Sequence, residues 1–244
     1  MRELRYKSIA EDLRERIGSG EFTAGHLLPS EAELGRAYDA SRVTVRKALE
    51  SLRDDGVADA RQGYGWFVVG DPVRQTLGRL ATIEGQLADH GVHAERHVLD
   101  FGFVRSPRRV RDVLGVDDVL RVRRLNRANG EPFAVVTVWV PERLGAKLSR
   151  DAVERSPIYE LLPVKLGGAT QTIGAAAATE RDAGLLEVPA GAPLLRCERT
   201  TYDTRRRPVL FSEHLFPALR TEFVVDLPAD GVESFAPAGL RLVD

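Results

Sequence analysis

Residues 41–52 read Ser-Arg-Val-Thr-Val-Arg-Lys-Ala-Leu-Glu-Ser-Leu, and this stretch combines a helix start with two chemically different helix faces. Ser41 is a suitable N-cap residue, and the apolar residues after it have the i, i+3, i+4, i+7 spacing of a buried face. The buried face consists of Val45, Ala48, Leu49 and Leu52. The opposite face, with Arg42 at the first turn, carries Val43, Thr44, Arg46 and Lys47. Guanidinium, hydroxyl and apolar groups at a helix start suit a DNA major groove, although a solvated helix face fits the same pattern.

Two further helices are predicted before this one. The first, over about residues 6–19, is indicated by apolar residues spaced by four: Ile9, Leu13 and Ile17. Ser30 is placed to cap the second helix, and Glu33 stands at the reciprocal position of a capping box. The dipeptide Asp39-Ala40 then leaves room for a tight turn before Ser41.

A glycine-rich hairpin is predicted after the third helix. Residues 57–61 and 66–69 resemble short strands and flank the tetrapeptide Gln62-Gly63-Tyr64-Gly65. Three helices followed by a tight hairpin are the element order of a winged helix-turn-helix. Because Gly70-Asp71-Pro72 interrupts the pattern, we expect a DNA-binding domain over residues 1–70. A linker over 71–76 and a second domain over 77–244 are expected to follow.

Three motifs in this first domain resemble the DNA-binding head of the GntR family of bacterial regulators. They are Leu28-Pro29-Ser30-Glu31, the segment 41–49 and Gln62-Gly63-Tyr64-Gly65. In that family the Ser-Arg-x-Thr-x-Arg segment opens the recognition helix, and the glycine hairpin lies along the minor groove. Together with the outward helix face, the resemblance implies these DNA-binding residues: Ser30, Arg42, Val43, Thr44, Arg46, Lys47, Gly63, Tyr64 and Gly65.

The remainder of the chain mixes strands with short helices, which is typical of an α+β domain. Asn129-Gly130 is a type I′ turn sequence, so the flanking residues 119–127 and 132–140 should pair antiparallel. Because residues 133–140 are apolar on both faces except at Thr137, we expect that strand to be central in its sheet. Other strands are expected around residues 99–103, 170–177, 194–203 and 208–216, and helices around 77–87, 107–114, 158–162 and 181–186.

This second domain resembles the effector-binding UTRA domain of the HutC subfamily of GntR regulators, whose chorismate lyase-like fold is an antiparallel sheet with helices. The matching stretches are 125–132, Ser156-Pro157-Ile158-Tyr159, and 199–203 followed by Pro208. The resemblance implies a homodimer with an effector pocket in each C-terminal domain. Taken with the head, it predicts a repressor that binds double-stranded operator DNA under the control of a small molecule and uses no cofactor. Activation is the alternative, because the sign of regulation depends on where the operator lies relative to the promoter.

The candidate effector-binding residues are Arg124, Asn126, Tyr159, Ser212 and Glu213. Strand alternation places Arg124 and Asn126 on one face with Leu120 and Val122. A guanidinium on a largely apolar face needs an anion, which makes Arg124 the leading candidate for an effector contact. A structural ion pair of Arg124 with Glu198 or Glu213 is the alternative.

Composition and motif content limit the other classes of function. The 244 residues carry a net charge of −1, with no long apolar run and no signal peptide, so we expect a cytoplasmic protein that does not enter a membrane. Cys197 is the only cysteine, which excludes an intrachain disulfide framework. The absence of P-loop, nucleophile-elbow and zincin motifs favours a sensor over an enzyme. His90, His93 and His97 suggest a metal site, but Gly91-Val92 between them predicts a solvated loop, and we expect no metal there.

Overall fold

The structure, a computed structural model, describes residues 2–70, 73–76 and 93–224, with side chains over 5–70 and 93–224. The helix expected over 77–87 and His90 lie outside the described residues. In chain order the elements of the head are α1 (Arg2–Gly18), α2 (Glu31–Ala37), α3 (Arg42–Asp54), β1 (Ala58–Arg61) and β2 (Gly65–Val68). Those that follow are β3 (Val73–Thr76), β4 (Ala94–Arg105), α4 (Arg108–Leu114), β5 (Asp118–Ala128), β6 (Glu131–Pro141), α5 (Glu142–Gly145), α6 (Arg150–Arg155), α7 (Ile158–Leu161), β7 (Leu166–Ala177), α8 (Glu180–Leu186), β8 (Pro193–Asp203), β9 (Pro208–Pro217) and β10 (Thr221–Val224).

The head has the predicted three helices and hairpin. The capping box is confirmed, because the Ser30 hydroxyl accepts a hydrogen bond from the Glu33 backbone N–H and the Glu33 carboxylate accepts one from the Ser30 backbone N–H. Ser41 caps α3 by accepting a hydrogen bond from the Thr44 backbone N–H. The apolar stripe of α3 is buried as predicted and packs on α1, together with Ile9, Leu13, Leu28 and Leu34.

Within the part of the chain that the structure describes, the C-terminal domain has a six-stranded antiparallel sheet in the order β4-β5-β6-β9-β8-β7. Strand β6 therefore lies inside the sheet, which confirms the expectation drawn from its apolar composition. Asn129 and Gly130 have φ values of 50° and 85°, as a type I′ turn requires, and this turn joins β5 to β6.

Apolar layers cover both faces of this sheet. On one face Leu120, Val122 and Val138 pack against the α6–α7 region through Val153 and Ile158. On the other face Leu125, Val135 and Leu194 pack against α8 through Ala183 and Leu186. Burial of one such leucine or valine stabilises the fold by roughly 1.5–3 kcal/mol, so both layers contribute to holding the sheet.

Part of the expected linker is a strand. Residues 73–76 form β3, which pairs in parallel with β10 near the end of the described chain. A parallel partner is distant in sequence, so local patterns around residue 73 give no sign of this pairing.

Among the described residues, none of the helices combines the length and the apolar composition that a membrane span requires.

Candidate DNA-binding surface and effector pocket

A cleft of about 890 Å³ lies between the starts of α2 and α3 and the β1–β2 hairpin. Among the residues that line it are six of those predicted to bind DNA: Ser30, Arg42, Arg46, Gly63, Tyr64 and Gly65. Val43 stands on the outward face of α3 with 79% of its surface exposed. An exposed valine between arginines suits contact with a thymine methyl group, so the outward face has the chemistry of a groove-reading helix.

Glu31 holds two of these arginines. Its carboxylate accepts hydrogen bonds from Arg42 Nε at 2.7 Å and from Arg46 Nε and Nη2 at 2.8 and 3.0 Å. These hydrogen bonds, that with Arg46 first, lower the pKa of Glu31 to about 2. Glu31 therefore orients both guanidinium groups and neutralises one of their two positive charges. The sequence analysis assigned it no role, although its position directly after an N-cap and one helix before the arginines is visible in the sequence.

Other predicted residues have contacts within the head. The Lys47 ammonium lies over the Tyr6 ring at 4.5 Å from the centroid, a cation–π contact with α1. The Thr44 hydroxyl is 2.8 Å from the Ser41 hydroxyl at the start of α3. The Ser30 hydroxyl donates to Glu33 at 2.7 Å. In this arrangement Lys47 contacts α1, while the two hydroxyls help to hold the starts of their helices.

Tyr64 differs from the expectation of a DNA contact. Its side chain is only 7% exposed and joins Phe67 in the apolar cluster of Leu125, Leu186 and Leu194 in the C-terminal domain. The aromatic ring is buried there because the hairpin tip folds back onto the sheet, while Gly63 and Gly65 beside it remain exposed at φ values of 76° and 107°. In this arrangement Tyr64 anchors the hairpin to the C-terminal domain.

A second cavity, of about 50 Å³, lies inside the C-terminal domain. It is enclosed by α7 and by side chains of β5, β6, β8 and β9, and its lining includes Arg124, Asn126, Tyr159, Arg199, Thr201, Ser212 and His214. Four of the five residues predicted to bind the effector thus meet in one place. The fifth, Glu213, does not line this cavity: neighbouring strand residues point to opposite faces, so Glu213 faces away while Ser212 and His214 line it.

Arg124 gives this cavity a buried positive charge. Only 6% of its surface is exposed, and Nη1 donates a long hydrogen bond of 3.4 Å to the Val153 carbonyl. The alternative ion pair with Glu198 or Glu213 is not supported, since both carboxylates lie on the other face of the sheet. There Glu198 pairs with Arg109 of α4.

The pKa of His214 reflects the burial and the positive charges of the cavity. Its Nε2 is 3.0 Å from the Ser212 hydroxyl, and its ring stacks on Phe216. Burial, followed by the charges of Arg199 and Arg124, lowers the pKa of His214 to about 3. Neutral His214 and two arginines make the cavity electropositive. Arg199, Thr201 and His214 were missed by the sequence analysis, although the alternation of β8 and β9 around the quoted motifs could have indicated them.

Comparison with known proteins agrees with this architecture. Residues 5–68 match the family described as bacterial regulatory proteins, gntR family, and residues 89–222 match the UTRA domain. The HTH-type transcriptional regulator Rv0792c of Mycobacterium tuberculosis is 34% identical over 228 residues, covering 90% of this chain and 84% of its own. The HTH-type transcriptional repressor NagR of Bacillus subtilis is 29% identical over 204 residues, covering 81% of this chain and 84% of its own. The crystal structure of PhnF from Mycobacterium smegmatis shares the fold, with a TM-score of 0.60 and 24% identity over 91% of this chain and 99% of that one.

A winged head with an arginine-bearing helix, joined to a sheet domain with a buried cationic cavity, defines a DNA-binding transcriptional regulator with an effector domain. The chain belongs to the GntR family and carries a UTRA domain in its C-terminal half. The resemblance found in the motifs is therefore confirmed, and the family is one of regulators, not enzymes.

Proposed function

We propose that this protein is a cytoplasmic, homodimeric repressor that leaves its operator when a small anionic effector binds the cavity at Arg124. The observation that carries the proposal is the set of Arg124, Arg199 and His214 in one largely enclosed cavity of the effector domain. Buried guanidinium groups form strong, often bidentate hydrogen bonds with carboxylates and phosphates. An acidic effector would therefore be favoured there over a neutral analogue of the same shape.

The size of the cavity links binding to movement. About 50 Å³ holds only a few water molecules, so a metabolite must displace side chains on entering. Ile158 and Tyr159 of α7 form one wall of the cavity. Effector binding would thus select a conformation in which α7 lies farther from the sheet.

Strand β5 offers a route from the cavity to the head. Arg124 and Asn126 face the cavity, while Leu125 between them faces the opposite layer, where Tyr64 and Phe67 of the hairpin are packed. A shift of β5 on effector binding would change the surface that holds the hairpin. Coupling of this kind typically amounts to 1–3 kcal/mol, or a 5- to 150-fold change in operator affinity.

The effector side of the proposal is tested by thermal shift with a panel of metabolic carboxylates and phosphates, each beside its neutral analogue. An acidic compound should raise the melting temperature of the wild type, because it binds the folded state, and should do so much less in Arg124→Gln. The matched control is Arg105→Gln, which changes an exposed arginine of the same sheet that pairs with Asp118. Equal shifts in both variants would place the effector elsewhere.

The proposed operator binding is tested by measuring the affinity of the Arg46→Ala variant for DNA fragments from promoters next to the gene that encodes this protein. The Arg46 side chain is half-exposed and pairs with Glu31 at the surface of the head, so its loss should leave folding intact. Loss of a base contact costs roughly 1–3 kcal/mol per site, or about 5- to 150-fold in affinity. Arg105→Ala is again the control, and unchanged binding by Arg46→Ala would remove the assignment of α3 as recognition helix. Light scattering at the same concentrations tests the dimer.

A further inference from the structure

A group of metal-ligating side chains lies where the head meets the C-terminal domain. His26 precedes α2 in the head, Glu131 begins β6, and Glu187 follows α8. One ligand atom from each of the three side chains lies within 4.8 Å of the other two. His26 Nε2 is 2.7 Å from a Glu131 carboxylate oxygen and 3.6 Å from one of Glu187. Two domains thus contribute to one cluster of a nitrogen and two carboxylate groups.

Two atoms of this cluster are buried without a hydrogen bond. His26 Nε2 and Glu131 Oε2 lie 2.7 Å apart, but without the geometry of a hydrogen bond, and among the described residues neither atom makes another hydrogen bond. Buried polar atoms are almost always satisfied, and an unsatisfied one costs about 1–3 kcal/mol. A cation bound between them would satisfy both atoms at once.

Two arginines lie near the cluster and offset the charge of its two carboxylates. Arg220 packs beside it, but its guanidinium donates to the backbone carbonyls of Pro132, Leu186 and Glu187 and not to the carboxylates. Arg127 Nη2 lies 3.8 Å from the other oxygen of Glu187.

The geometry points to a first-row divalent metal site, with Zn²⁺ as the best match, formed by His26, Glu131 and Glu187 across the two domains. Tetrahedral zinc with ligands at about 2.1 Å places its ligand atoms about 3.4 Å apart. The present separations of 2.7 and 3.6 Å reach that value with small side-chain rotations. Three protein ligands leave a fourth position open to solvent on the side of Glu187, which is the most exposed of the three.

A metal ion bound by these three residues would cross-link the head to the effector domain. The cluster and the Tyr64 anchor both lie at this contact between the domains, on the hairpin side of the head. There the His26 carbonyl accepts a hydrogen bond from the Val68 N–H, and Leu27 pairs with Phe67. Zinc would therefore stabilise the docked head, in addition to the apolar contacts of Tyr64. This consequence does not depend on which effector the cavity binds.

The test uses tag-free, EDTA-treated full-length protein titrated with ZnCl₂ in a calorimeter. We expect one Zn²⁺ per chain for the wild type and at least tenfold weaker binding for Glu187→Gln and for His26→Gln. Glu187→Gln changes an exposed side chain and carries little risk to folding. The control is His97→Gln, because His97 and His93 flank Glu95 in an exposed histidine–carboxylate group at the start of β4.

A second readout separates specific from incidental binding. Zn²⁺ should raise the melting temperature of the wild type and of His97→Gln, but not that of Glu187→Gln, while Mg²⁺ should have no effect because it avoids nitrogen ligands. The proposal is overturned if the wild type binds no Zn²⁺ or if Glu187→Gln and His26→Gln both bind it fully. It is also overturned if His97→Gln loses the site.

Discussion

Replacing His214 by asparagine should change how the stability of the C-terminal domain depends on pH. In the folded protein, burial and the charges of Arg199 and Arg124 lower the pKa of His214 to about 3, whereas an unfolded histidine has a pKa near 6.5. Below pH 6.5 the unfolded chain therefore binds a proton that the folded chain does not. The wild type should lose stability as the pH falls, and the variant should lack this contribution.

The size of the effect follows from these two pKa values. Between pH 7.5 and pH 5 the linkage relation gives a loss of about 2 kcal/mol from this one histidine. The slope approaches about 1.4 kcal/mol per pH unit and persists until the pH nears the folded pKa. Contributions from carboxylates are common to both proteins, so they cancel in the difference between wild type and variant.

The chain offers a clean optical probe for this measurement. It has two tryptophans, Trp66 in the head and Trp139, which stacks on Phe211 in the C-terminal domain. In a Trp66→Phe background, urea unfolding followed by the remaining tryptophan reports the C-terminal domain alone, at fixed protein concentration. His97→Asn, which makes the same replacement at an exposed position of the same sheet, is the matched control. If the His214→Asn difference stayed constant with pH, His214 would titrate like an unfolded histidine, and the buried, electropositive character of the cavity would be contradicted.

Three further substitutions test the head and its attachment. Glu31→Gln frees Arg42 and Arg46 and removes a negative charge, so affinity for non-specific duplex DNA should rise and the ratio of operator to non-specific affinity should fall by about threefold or more. Fluorescence anisotropy measures both affinities, with Glu11→Gln as the control. An unchanged ratio would contradict an orienting role of Glu31. Tyr64→Ala removes the hairpin anchor, so the unfolding midpoint reported by Trp66 should fall relative to that reported by Trp139. The control, Tyr202→Ala, should leave the difference between the two midpoints as in the wild type. An unchanged difference in Tyr64→Ala would show that the domains do not stabilise each other through this contact. Val45→Ala opens a cavity in the buried core of the head and should lower the free energy of unfolding by about 2 kcal/mol in chemical denaturation. Val43→Ala, on the opposite, exposed face of α3, should weaken operator binding without measurable loss of stability. The opposite order of effects would reverse the two faces assigned to α3.

Local patterns predicted the head almost completely because its architecture depends on neighbours in the chain. Caps at Ser30 and Ser41 satisfy backbone groups within three residues, and the apolar stripe of α3 needs only the helical repeat to find its face. The Asn129-Gly130 turn likewise determines which strands pair around it. In the effector domain, alternation along β5 places Arg124 and Asn126 on the cavity side, and the same alternation along β9 turns His214 toward the cavity and Glu213 away from it.

By itself, then, the amino-acid sequence determined the family, the winged helix-turn-helix, the outward face of α3 and four of the residues that line the cavity. Tertiary structure alone decided the pairing of β3 with β10, the burial of Tyr64 against the effector domain and the meeting of His26 with Glu131 and Glu187. The physical reason is the difference in sequence separation over which these interactions act. Hydrogen-bonded caps, turns and side-chain periodicity act over a few residues, while contacts between residues a hundred or more positions apart exist only once two separately folded surfaces have come together.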